Sequence, residues 1–200
     1  MAITTYSTLK SAVADFVHRS DLTTVIETCI SLVEADIAVD VRCQAMETIA
    51  SGNLTGATLA FPSRMIEARR LLIAGDVYRY VTPEVFSEVS ANGSTDHVYT
   101  IVGQAFYILR GASGMAYTLT YWAKFTSLSS ERDATNWLII NHPDVYLYGT
   151  LRHVCLFLVD DPAAAKYFEL YKVACRRVND RESRAAVSGG PLQMFAANVE

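Results

Sequence analysis

Four histidines, four cysteines and a few paired carboxylates are the side chains in this 200-residue sequence that could do chemistry. A metal centre needs several such groups converging on one ion. His142 and His153 fall on or beside one predicted helix but are separated by roughly 16 Å of helical rise, so they cannot share a metal. His153 and Cys155 are two positions apart on that helix and point to different faces, while His18 and His97 fall elsewhere. Cys29, Cys43, Cys155 and Cys175 are irregularly spaced, with no C-x-x-C pair, which fits buried reduced thiols better than a disulfide framework or a zinc site. Asp160 and Asp161 could be catalytic carboxylates, but Pro162 marks them as a helix start, where neighbouring side chains diverge. Glu34, Glu47 or Glu67 could serve as the general acid of a cell-wall hydrolase only if two carboxyls faced each other roughly 5 to 10 Å apart across a groove. The dinucleotide, phosphate-loop, nucleophile-elbow and zinc-protease signatures are all missing from the sequence. No catalytic residue, metal or cofactor is expected.

Two residue sets suggest binding instead. Arg177, Arg181 and Arg184 recur at helical spacing on one stripe beside Arg176, but Asp180 and Glu182 interrupt the charge and no aromatic residues interleave to stack bases. A solvated face, or one paired with an acidic protein partner, competes here with nucleic-acid contact. The aromatic residues Trp122, Phe125, Trp137, Tyr146, Tyr148, Phe157, Tyr167, Phe168 and Tyr171 suit core packing and subunit contacts, since Trp and Tyr bring large area with little rotamer freedom to lose. Asp15, Glu34 and Asp36 read as charges on amphipathic helices, solvated or salt-bridged between subunits.

The elements that must position these groups follow from periodicity. Leu9, Val13, Phe16 and Val17 mark a helix over Tyr6 to Val17; Leu22, Val25, Ile26, Cys29, Ile30, Val33 and Ile37 mark a second, opened by Asp21 after a short hinge. From Met46 to Phe125 the pattern alternates between turn signals such as Ser51-Gly52-Asn53 and Ala74-Gly75-Asp76. Strands are expected at Thr58 to Phe61, Glu67 to Ile73, Val77 to Tyr80, Val98 to Val102, Ala105 to Leu109 and Tyr117 to Lys124. Thr82-Pro83-Glu84 should cap a short helix to Val89. Helical pattern then returns around Ala134 to Ile140, from Pro143 to about Val159, and after Pro162 to about Ala186. Ser188-Gly189-Gly190-Pro191 should end the order. The expected class is α+β: a mainly α-helical bundle built from both chain ends (1–45 and 126–187), an inserted small antiparallel β domain (46–125), and a flexible C-terminal docking tail (188–200).

A hydrophobic fraction of 51% against 19% charged residues leaves apolar surface that oligomerisation would cover. No apolar run approaches the length of a membrane span, and the N-terminus Met1-Ala2-Ile3-Thr4-Thr5 lacks a secretory leader, so synthesis in the cytoplasm is expected. A net charge of -4 disfavours sequence-specific DNA binding but is compatible with a conduit that duplex slides past.

One run carries more information than any other: Thr135-Asn136-Trp137, then Asn141-His142-Pro143-Asp144-Val145-Tyr146-Leu147-Tyr148-Gly149. It occurs in order with Leu32-Val33-Glu34-Ala35-Asp36-Ile37, Met46-Glu47-Thr48, Tyr99-Thr100-Ile101-Val102-Gly103, Thr120-Tyr121-Trp122-Ala123-Lys124, Asp180-Arg181-Glu182-Ser183-Arg184 and Ser188-Gly189-Gly190-Pro191-Leu192. This ordered set resembles the head-to-tail adaptor (connector, or tail accessory factor) proteins of short-tailed phages. The resemblance implies a structural virion protein that forms a homo-oligomeric ring of about twelve copies below the portal. It further implies that the ring extends the DNA channel and presents a platform to a downstream tail or nozzle protein, with helices forming the ring body and the β region projecting. On that reading Arg177, Arg181, Arg184, Leu192, Met194 and Phe195 are portal-binding candidates. Trp137, Tyr146, Tyr148, Tyr167 and Tyr171 are subunit-interface candidates. A neck or stopper protein of a long-tailed phage is the nearest alternative, and the hydrolase the alternative of a different class.

Overall fold

The computed structural model describes residues 2–128 and 134–187, with side chains as far as Arg181. The side chain of Arg184, and Leu192, Met194 and Phe195 with the rest of the expected tail, lie outside the described residues. The described chain is mixed α and β, with six α-helices and a curled seven-stranded sheet. It divides into two compact units, one comprising Met1–Ala45 with Phe125–Glu200 and the other Met46–Lys124.

The first unit holds α1 (Tyr6–Val17), α2 (Thr23–Asp40), α4 (Trp137–Asn141), α5 (Pro143–Phe157) and α6 (Asp161–Val187). Thr5 and Thr8 form a reciprocal capping box that satisfies the first donors of α1. Pro143 sits in the first turn of α5, where a missing N–H costs nothing, and Asp144 follows at the favourable end of the dipole. Asp160 accepts a hydrogen bond from the Ala163 N–H at 3.1 Å and so caps α6, the structural role its proline neighbour signals.

Helix α5 touches α1, α2, α4 and α6, and its residues Val145, Leu151 and Val154 are fully buried. What permits the approach is Gly149. A Cβ there would lie 2.9 Å from Val33 Cγ1 on α2 and 3.2 Å from Tyr171 Cδ2 on α6. Polar bonds then fasten the C-terminal end of α2 to α6. The Tyr171 hydroxyl donates to the Asp40 carboxylate at 3.0 Å, and the Asn179 amide donates to the Asp40 carbonyl while its oxygen accepts from the Arg42 N–H.

The second unit carries β1 (Glu47–Asn53), β2 (Thr58–Ala60), β3 (Met65–Ile73), β4 (Asp76–Tyr80), the helix α3 (Pro83–Ala91), β5 (Val98–Val102), β6 (Ala105–Ile108) and β7 (Ala116–Ala123). The strand order is β1-β7-β3-β4-β5-β6-β2 around a core of Leu71, Ile73, Phe106, Ile108 and Leu119. Three expectations are corrected. The sheet is not wholly antiparallel, because α3 carries the chain across and returns it so that β5 runs parallel to β4. Ser51-Gly52-Asn53 is the end of β1 rather than a turn, and Gly52 leaves room for the ring of Tyr117 opposite it. Thr82 makes no side-chain cap bond, so Pro83 alone marks the start of α3.

Gly149→Ala tests the α5 packing. Alanine favours helix by about 1 kcal/mol, yet the methyl must displace the buried, β-branched Val33, a clash that costs about 1 to 3 kcal/mol. Denaturant unfolding should show a net loss of stability for Gly149→Ala. In a Val33→Ala background the same change should become neutral or stabilising, and an equal loss in both backgrounds would contradict the assigned clash.

Candidate functional site

Asn136 makes three side-chain hydrogen bonds within the helical unit. Its oxygen accepts the Ile139 N–H at 3.0 Å and caps α4, while its amide donates to the Thr126 carbonyl and to the Tyr146 hydroxyl at 2.8 Å. Every hydrogen of this nearly buried amide is therefore satisfied. Glu34 of α2 binds the strap formed by residues 125–128, accepting from the Leu128 N–H at 2.6 Å and the Ser127 hydroxyl. Asp36 meets His153 at 2.9 Å and Arg152 at 3.3 Å, both on α5. These pairings correct the expectation that Glu34 and Asp36 are solvated or reserved for another subunit: turned toward α5 and the strap, they join elements of one chain.

The groups weighed for chemistry are occupied in the same structural way. Burial pushes the Cys29 thiol up to about 11 and, against the opposing Tyr171 hydrogen bond, the Cys175 thiol up to about 12; Cys155 is also raised, by burial and then by Asp160. Such thiols are protonated at neutral pH and are weak nucleophiles. Tyr146 and Tyr171 are raised mainly by burial. Glu47 and Glu67 flank Trp122 from β1 and β3 on one sheet face, but Glu47 is bound by Arg69 at 3.2 Å, and Arg69 lies over the Trp122 ring. Among the described residues no His, Cys, Asp and Glu group has the arrangement of a metal site.

The aromatic candidates separate into inside and outside. Tyr146 and Tyr171 are each only 1% exposed and belong to the core of their own chain, which corrects their selection as subunit-contact residues. Trp137 is half-buried between Phe125, stacked at 6.1 Å, and His142. Tyr148 and Tyr167 stack on each other at 6.5 Å across α5 and α6 and remain partly open. Arg177 and Arg181 are exposed on α6, and the structure brings neither against a described carboxylate.

The α5 to α6 connection carries a feature that periodicity alone misses. Leu156, Phe157 and Val159 are 48%, 57% and 82% exposed, an apolar rim beside the tyrosine pair's helices. Val159 also holds φ at +60°, in the left-handed region where a β-branched residue is strained and glycine is the ordinary choice.

The SU10 adaptor protein family model matches residues 4–194. This chain belongs to the SU10 adaptor protein family. Among curated proteins none matches it in sequence. The SU10 group is a family of phage structural adaptors. Its place is the virion, and no helix among the described residues of this SU10 adaptor is long and apolar enough to cross a membrane.

The Val159 backbone supplies a test in the isolated SU10 adaptor. Val159→Gly removes the left-handed strain and sacrifices almost no buried area, so it should stabilise the chain by about 1 kcal/mol in denaturant unfolding. A destabilised variant would show that Val159 packs within its own chain.

Proposed function

We propose that copies of this chain form a ring, a dodecamer matching the portal, that sits below the portal protein of a short-tailed phage, extends the DNA channel and provides the attachment platform for the downstream tail or nozzle protein. The observation that carries this reading is the SU10 adaptor match over residues 4–194, nearly the whole chain. The surface chemistry supports it. The exposed Leu156, Phe157 and Val159, with the half-open Trp137, Tyr148 and Tyr167, offer apolar area at more than one place on the helical unit, as head-to-tail contacts between identical chains require. A net charge of -4 suits a channel wall that genomic DNA passes without sequence-specific binding.

Portal attachment is assigned to the end of α6 and the residues beyond it. Arg177, Arg181 and Arg184 bring a basic approach, and Leu192, Met194 and Phe195 bring apolar anchors in the sequence that follows. The test is to mix purified portal particles with the full chain and with a chain ending at Val187, then measure the mass of the complexes. The full chain should add a ring to each portal, and the shortened chain should stay folded but unattached. Equal attachment of both removes the role given to residues 188–200; failure of the full chain to bind removes the adaptor reading.

A further inference from the structure

In the β-rich unit the sheet parts along one strand. β3 pairs with β7 along most of its length, but with β4 only through Leu71, Leu72 and Ile73. Past Tyr78, β4 leaves its hairpin partner and runs beside β5 through Arg79 and Tyr80. No described strand pairs with residues 65–70 on the side that β4 vacates. A register irregularity between Ala68 and Arg70 lies where the strands separate, as bulges do where pairing ends.

The gap is a cleft of about 700 Å³. Its lining divides by chemistry. Met65, Ala68 and Ile101 are half-buried and apolar, and Tyr80 stands 54% exposed. Arg70 and Arg79 are exposed and are ion-paired with no described carboxylate, whereas Arg69 is held by Glu47. Glu67 is the one acidic residue in the lining. The open stretch of β3 is roughly 20 Å long, enough for five or six extended residues.

An unpaired strand edge presents N–H and C=O groups at the spacing that another extended chain needs. We infer that this cleft receives an extended segment of another protein chain, which adds as a strand to the Met65–Arg70 edge, sets a carboxylate against Arg70 and Arg79, and lays apolar side chains on Met65, Ala68 and Tyr80. Charge complementarity selects an acidic segment, since two unpaired guanidinium groups outnumber the single Glu67. Single-stranded nucleic acid fits less well. Of the cleft's three tyrosines only Tyr80 is open; Tyr78 and Tyr99 are 5% exposed and pack on His97 and Phe106, so the cleft lacks the succession of open rings on which a run of bases stacks. The inference concerns the β-rich unit and does not depend on ring formation.

Calorimetric titration of the full chain tests it, using a capped five-residue peptide of alternating valine and glutamate. Saturable binding tighter than about 1 mM is expected, with loss of at least about tenfold when alternate peptide nitrogens are methylated and cannot donate. Amide exchange should slow within residues 65–70 when the peptide binds. Arg70→Glu with Arg79→Glu should weaken the glutamate peptide by at least about tenfold and admit the valine-lysine counterpart. If that variant unfolds, the methylated peptide and the exchange pattern on the unaltered chain still decide. Absence of saturable binding, equal binding of the methylated peptide, or displacement of the peptide by oligothymidylate at lower concentration would overturn the inference.

Discussion

Helix α5 can lie this close to α2 and α6 because position 149 has no side chain. With the Val33 methyls on one side and the Tyr171 ring on the other, even one added carbon comes closer than ordinary contact to buried side chains, and something must shift. Other features of the helical unit depend on that approach. It brings Arg152 and His153 to Asp36, and it lets the Tyr171 hydroxyl reach Asp40. The polar bonds are therefore secondary to the packing, and would lose their geometry if α5 were held farther out.

The buried polar groups have the pattern of a scaffold. Asn136 spends both of its amide hydrogens on a strap carbonyl and a tyrosine hydroxyl, and its oxygen on a helix cap. Glu34 is consumed by the strap and Asp36 by α5. The surface is the reverse, with the Leu156, Phe157 and Val159 rim and the half-open Trp137 and Tyr148 lacking full cover.

Helical bounds were readable because apolar spacing and helix-start chemistry agree locally: Tyr6–Val17 coincides with its sequence expectation, and Pro143 and Asp160 mark real starts. Strands from Thr58 onward were readable from alternation. β1 was not, because its Ser51-Gly52-Asn53 end has turn composition and is held in the sheet by a distant partner, β7. Strand direction was equally hidden, since alternation looks the same in parallel and antiparallel pairs. Candidate surface residues were legible by type but not by direction: Tyr146 and Tyr148 are two positions apart, yet the first enters the core and the second stays partly open. Val159 carried no signal at all, because its left-handed backbone is the conformation valine least favours.

The chain is a phage adaptor by family, and its helical unit leaves aromatic and apolar side chains open. The most direct measurement is electron cryomicroscopy of the head-to-tail junction in intact virions, with this chain traced in the map. The account predicts a closed ring of copies immediately below the portal, neighbours meeting through the helical units and DNA path running through the centre. A single copy at that level, or copies placed elsewhere in the particle, would contradict it.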